Sequence, residues 1–112
     1  MDELLKFAES QGFIVKEKPL KAFDGLTDGK RIAIRDTIQN TDQKKYILAH
    51  ELAHAFLHKG DTIDSPYHDF YEWQADKGAE LILKLMEFMK GEKQWSLWTW
   101  LILTLYAEWV YL

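Results

Sequence analysis

Cysteine is absent from this chain, which excludes disulfide scaffolds, zinc ribbons and thiol nucleophiles at once. Any metal must therefore be held by histidine and carboxylate. Nor is there a block of like charge: 14 basic and 18 acidic residues are interspersed, for a formal net charge of -4. A nucleic-acid surface needs a basic stripe to offset phosphate charge, so no direct binding of nucleic acid is expected. The first residues, Met1-Asp2-Glu3-Leu4-Leu5-Lys6, carry acids where a secretory signal carries bases, and no uninterrupted apolar stretch follows. A cytoplasmic location is expected. Internal repeats and low-complexity segments are missing too.

What is present suits one globular domain. Apolar residues make up 47% of the 112, adequate for a packed core, and the length leaves little room for a second domain. Asp2 can cap a first helix to about Gln11, stopped by Gly12. Phe13-Ile14-Val15 reads as a short strand closed off near Pro19, and 22–35 as a hairpin about Asp28-Gly29. The return arm, Arg31–Arg35, puts Ile32 and Ile34 on one face and Arg31, Ala33 and Arg35 on the other. Asn40, with Gln43 three residues on, is a capping-box pattern. It opens a helix to about Lys59 whose buried stripe is Leu48, Leu52, Ala55 and Phe56. Turn-forming residues then lead to a third long helix, Phe70 to Lys90, and Gly91-Glu92-Lys93 breaks it. The expected fold is α+β, a small antiparallel sheet packed on the second helix. A domain over 1–90 is followed by an apolar C-terminal helix over 91–112, packed on that domain.

The chemistry lies in His50-Glu51-Leu52-Ala53-His54. Two histidines four apart on a helix are one turn apart in rise and about 40° apart in azimuth, so both imidazoles reach one ion. Two imidazoles and a carboxylate form a zinc site that leaves a fourth position for water. Glu51 follows the first histidine and tilts to the same side. There it can take a proton from that water and pass it to a leaving amine, the role of a general base. Such a site needs a third ligand from another element. Glu72 stands 18 positions after His54, at the start of the next helix, and is the candidate. Asp76, one turn further, can accept the remaining ring N–H of a ligating histidine and so fix its tautomer. A bare pair of acids four apart would repel itself, and a cation gives the pair a purpose. His58 continues the histidine face, but three ligands from two turns of one straight helix overreach a tetrahedral ion. It is read as a favourable charge at the helix C-terminus or as a wall of the cleft. His68, with Tyr67 and Tyr71, is a candidate hydrogen-bond donor to the oxyanion of a tetrahedral intermediate; each can equally be a plain polar loop residue.

The stretch Tyr46-Ile47-Leu48-Ala49-His50-Glu51-Leu52-Ala53-His54-Ala55-Phe56-Leu57-His58, with Glu72-Trp73-Gln74-Ala75-Asp76 downstream, resembles the ImmA/IrrE family of metallopeptidases. The resemblance covers about residues 1–86. It implies a zincin-like minimal metallopeptidase domain with one Zn2+ per chain, ligated by His50, His54 and Glu72, and Glu51 as general base. It also implies a protein substrate, a helix-turn-helix repressor of phage or mobile-element type whose cleavage relieves repression. The strand Arg31–Arg35 is expected to be an edge on which an extended substrate adds a strand. The sequence departs from the family at Gly78-Ala79-Glu80-Leu81-Ile82-Leu83, where a Phe-Ala pair is usual, and after Gly91.

Two alternatives remain open from the sequence. The chain can be an antirepressor that binds its partner without cutting it and keeps zinc as a structural staple; a general base such as Glu51 favours the enzyme. The tail also reads in more than one way. Trp95, Trp98, Ile102, Leu105, Trp109 and Leu112 follow the spacing of a packed helix pair, yet other apolar residues fill the remaining faces. A core helix, a homodimer or repressor-binding surface, and a membrane anchor over 95–112 all fit that pattern.

Overall fold

Leu4, Phe7 and Ala8 recur on one side of the first helix, α1 (Asp2–Ser10), and all three are buried. In the computed structural model of the chain, which describes residues 2–57, 68–88, 101, 104 and 105, α1 ends in a Schellman arrangement. The Phe13 amide donates to Ala8 O and the Gly12 amide to Glu9 O, with Gly12 at φ +87°. Satisfying the last carbonyls in this way turns the chain directly into the sheet.

Three short strands follow: β1 (Ile14–Lys18), β2 (Gly25–Asp28) and β3 (Arg31–Arg35). The β2–β3 hairpin is antiparallel, pairing Asp28 with Arg31 and Gly25 with Ile34, so its turn is Gly29-Lys30, one residue later than Asp28-Gly29. The sheet as a whole is mixed, not purely antiparallel, because β1 pairs in parallel with β3. Residues 19–24 carry the chain past the place of β3 to the far side, and β3 then fills the gap in the order β1-β3-β2. Arg35 holds this crossing: Nε donates to Phe23 O, Nη2 to Lys21 O, and Nη1 lies 3.4 Å from Asp24 Oδ1. One expectation is overturned. Arg31–Arg35 is the central strand, with its amides and carbonyls engaged on both sides, so it cannot receive a further strand.

Helix α2 (Thr41–Leu57) is capped by Asn40, whose Oδ1 accepts from the Gln43 amide at 2.9 Å. It lies between the sheet and helix α3 (His68–Phe88) and also meets α1. Burial therefore extends beyond a single stripe, with Ile47, Leu48, Ala49, Leu52, Ala53 and Leu57 all inside. Ile32 and Ile34 of β3 complete the core on the sheet side, and Ala75, Ala79, Ile82 and Met86 on the α3 side. Phe56 stacks on Phe7 at 6.1 Å and meets Phe13 edge-on at 5.9 Å, closing the α1 end.

The two long helices approach closely at Gly78. A Cβ there would stand 2.9 Å from Ala53 Cβ, so the absence of a side chain sets how near α3 comes to α2. No described helix is long and apolar enough to cross a membrane. Of the expected helix over 91–112 only residues 101, 104 and 105 are described, each helical; the rest of it, and with it the expected dimer surface and anchor, lies outside the described residues.

Candidate active site

The close packing of α3 on α2 brings the start of α3 over the histidine face. Glu72 spans both rings: Oε2 lies 3.0 Å from His50 Nε2, and Oε1 lies 3.0 Å from His54 Nε2. The two imidazoles stand edge to face, with centroids 4.7 Å apart. One ligating atom from each of His50, His54 and Glu72 falls within 4.8 Å of the others, and all three residues are half-buried. This is a donor set of two nitrogens and one carboxylate oxygen.

Behind His50, Asp76 Oδ1 lies 2.9 Å from Nδ1, within ion-pair distance although not aligned as a hydrogen bond. The same oxygen accepts from the Tyr46 hydroxyl at 2.8 Å. A carboxylate beside Nδ1 favours the proton on that nitrogen and leaves the Nε2 lone pair facing Glu72. With the proton on Nδ1, Nε2 and Oε2 face each other as two acceptors 3.0 Å apart; with it on Nε2, they form a hydrogen bond and Nδ1 is left bare beside Asp76. A cation bound by Nε2 and Oε2 would settle the proton on Nδ1 toward Asp76, so the two nitrogens and one carboxylate oxygen fit a divalent metal.

Glu51 sits between this cluster and the sheet, where it meets β2. Only 8% of it is exposed, and the Thr27 hydroxyl donates to its Oε1 at 2.6 Å. Burial pushes the Glu51 carboxyl above the ordinary value, and the nearby Glu72 adds to this, while the Thr27 hydrogen bond and His50 pull it back. Room for the side chain comes from Gly25. A Cβ on that residue would stand 2.7 Å from Ile47 Cγ2 and 3.2 Å from Glu51 Oε2. The arrangement thus sets a buried carboxylate of raised proton affinity next to a convergent His-His-Glu cluster, the elements of metal-assisted hydrolysis with a general base.

The remaining expected residues divide. His68 is at the site, its Nε2 3.8 Å from Glu72 Oε1, beyond hydrogen-bond reach. Tyr71 is half-buried on α3, its ring 6.1 Å from that of Phe70. His58 and Tyr67 lie outside the described residues. Three residues at the site carried no expectation from the sequence: Gly25, Thr27 and Tyr46. Tyr46 had a visible signal, because 46, 50 and 54 share one helix face. Gly25 and Thr27 had none, since only the fold brings β2 to Glu51 across more than twenty positions.

Residues 8–89, well over half of the chain, match the Peptidase_M78 family, described as the IrrE N-terminal-like domain. No curated protein and no solved structure gives a significant match.

Proposed function

From its membership of Peptidase_M78, the family of IrrE N-terminal-like domains to which this chain belongs, we propose that it is a zinc-dependent endopeptidase. Its substrate is a partner protein, a helix-turn-helix repressor whose cleavage relieves repression. The observation that carries the reading is the buried Glu51 carboxylate beside the His50–His54–Glu72 cluster. A purely structural ion has no use for such a base.

His50, His54 and Glu72 would hold the metal, with Asp76 orienting His50. When bound, zinc would supply Lewis acidity, polarising a peptide carbonyl and making water a better nucleophile at neutral pH. Glu51 takes the proton from the attacking water and delivers it to the departing amine. Its raised proton affinity makes it a stronger base for that exchange than an exposed carboxylate. His68 is near enough to contribute to the polar wall around the reacting carbonyl.

The substrate's rail is reassigned to β2. Arg35 N donates to Asp24 O, and hydrogen-bonded pairs alternate along an antiparallel ladder. With the observed register, the amides and carbonyls of Gly25 and Thr27 therefore point away from β3. β2 is an edge of the sheet among the described residues, and it lies against the helix that carries Glu51. An extended peptide pairing there would pass beside the base.

Glu51→Gln tests the reading. It is expected to bind zinc as the parent does and to lose cleavage by about 100-fold or more, measured on the partner repressor by electrophoresis and on the metal by elemental analysis. If Glu51→Gln still relieved repression in cells, the protein would act by binding alone.

A further inference from the structure

We infer that Thr27 is the positioning residue of the Glu51 carboxylate: its hydroxyl holds Oε1 against β2 and leaves Oε2, beside the bare Cα of Gly25, as the oxygen that exchanges protons. The catalytic consequence rests on the peptidase reading above; the contact itself does not.

A glutamate side chain has several rotatable bonds and loses much freedom when held in one conformation. Among the described residues, the hydrogen bond that restrains its carboxylate comes from outside α2. The Thr27 hydroxyl donates it to Oε1 at 2.6 Å, and Thr27 Oγ1 also lies 3.3 Å from the Glu51 backbone carbonyl oxygen. With one proton to give, the hydroxyl serves the nearer, charged acceptor. Threonine in a strand is also stiff at χ1, so its hydroxyl is placed before Glu51 arrives. The other carboxylate oxygen lies beside Gly25, where a Cβ would crowd Oε2 at 3.2 Å. One oxygen is thus engaged, while the other meets no side chain from residue 25.

Both controls sit on β2, two residues apart, on the face toward α2. The backbone amides and carbonyls of the same two residues point to the free edge. The strand proposed to receive the substrate therefore also holds the base, and distance from base to scissile bond is set within one short element. A hydroxyl at position 27 is then a requirement for turnover more than for substrate affinity, since displacing a catalytic group by about 1 Å can cost on the order of 100-fold in rate.

The test has two arms on the full chain. In the metal-free protein, Thr27→Val is expected to lower the Tm, and to have no such effect when Glu51 is replaced by Met. Thr27→Ser, which keeps the hydroxyl, is expected to behave like the parent in both backgrounds. In the zinc-loaded protein, the probe is the best-cut member of an internally quenched random peptide library. Thr27→Val is expected to lower kcat about tenfold or more with KM unchanged, and Thr27→Ser to restore most of it. If Thr27→Val does not fold, Thr27→Ala takes its place in both arms. An equal Tm loss with Glu51 and with Met at position 51, or a parental kcat without the hydroxyl, overturns the inference. A parent chain that cuts no member of the library overturns the peptidase reading instead, and the Tm comparison still decides the contact.

Discussion

Asp76 Oδ1 is shared between two partners, the Tyr46 hydroxyl at 2.8 Å and His50 Nδ1 at 2.9 Å. The spacing of Asp76 from Glu72 was readable in the sequence, because residues four apart on a helix share a face. The tyrosine on the far side lies one turn before His50, on the same helix face. Asp76→Asn is expected to weaken zinc binding by about 10- to 100-fold, as loss of a carboxylate behind a ligating histidine does, and chelator competition measures it. Tyr46 itself gives a pH signature. Its phenol is pushed up from 10.0 to about 12, first by partial burial and then by the hydrogen bond to Asp76 and the acidic groups around it. The folded chain holds this proton more tightly than the unfolded one. Any stability Tyr46 contributes is thus whole below pH 10 and is lost as pH rises through about 12. Ultraviolet titration of the folded chain should show a late-ionising phenol that disappears in Tyr46→Phe.

At the level of elements, α1, the hairpin, the cap of α2 and the long third helix are all legible in the sequence, because periodicity, Gly12 and Asn40 act locally. The pairing of β1 was not legible. Parallel pairing depends on where residues 19–24 carry the chain, and that path is held by Arg35 reaching back to three of those residues. The same limit explains why the sequence alone points to β3 as the substrate edge. Gly78 shows how elements control the site. Gly78→Ala gains about 1 kcal/mol in helix propensity, but its Cβ would meet Ala53 Cβ at 2.9 Å. Overpacking of this kind costs about 1–3 kcal/mol. The clash should win, with a lower denaturant midpoint and weaker zinc binding as Glu72 is pushed from the histidines. Adding Ala53→Gly should recover the zinc affinity, which would locate the effect in the helix contact.

For the whole molecule, the metal reading makes zinc a tie between α2 and α3, since two ligands come from one helix and the third from the other. A ligand that binds only the folded chain stabilises it by about 4 kcal/mol at a thousandfold excess over Kd. In a domain of this size the expected Tm rise exceeds about 10 °C. Calorimetry with and without zinc should show it, a chelator should reverse it, and His54→Ala should abolish it, with one zinc per parent chain by elemental analysis. A parent that took up no zinc would end the metal reading. The motif that suggested the family was legible because its spacing is helical and compact, and the family match extends over most of the chain. The repressor as substrate stays a proposal, since it comes from the family and from no side chain at the site.

The bare Cα of Gly25 also acts as a check on assembly. A hairpin slipped by one residue would bring Asp24 or Leu26 to the slot beside Glu51, and a slip of two would bring Phe23 or Thr27. Every one of these carries a Cβ, and the slot leaves only 2.7 Å to Ile47. Misregistered hairpins, which alternate faces with each step, are therefore rejected by the same helix that carries the base. A hairpin that packs on α2 in its observed register thereby also sets Gly25 and Thr27 beside Glu51.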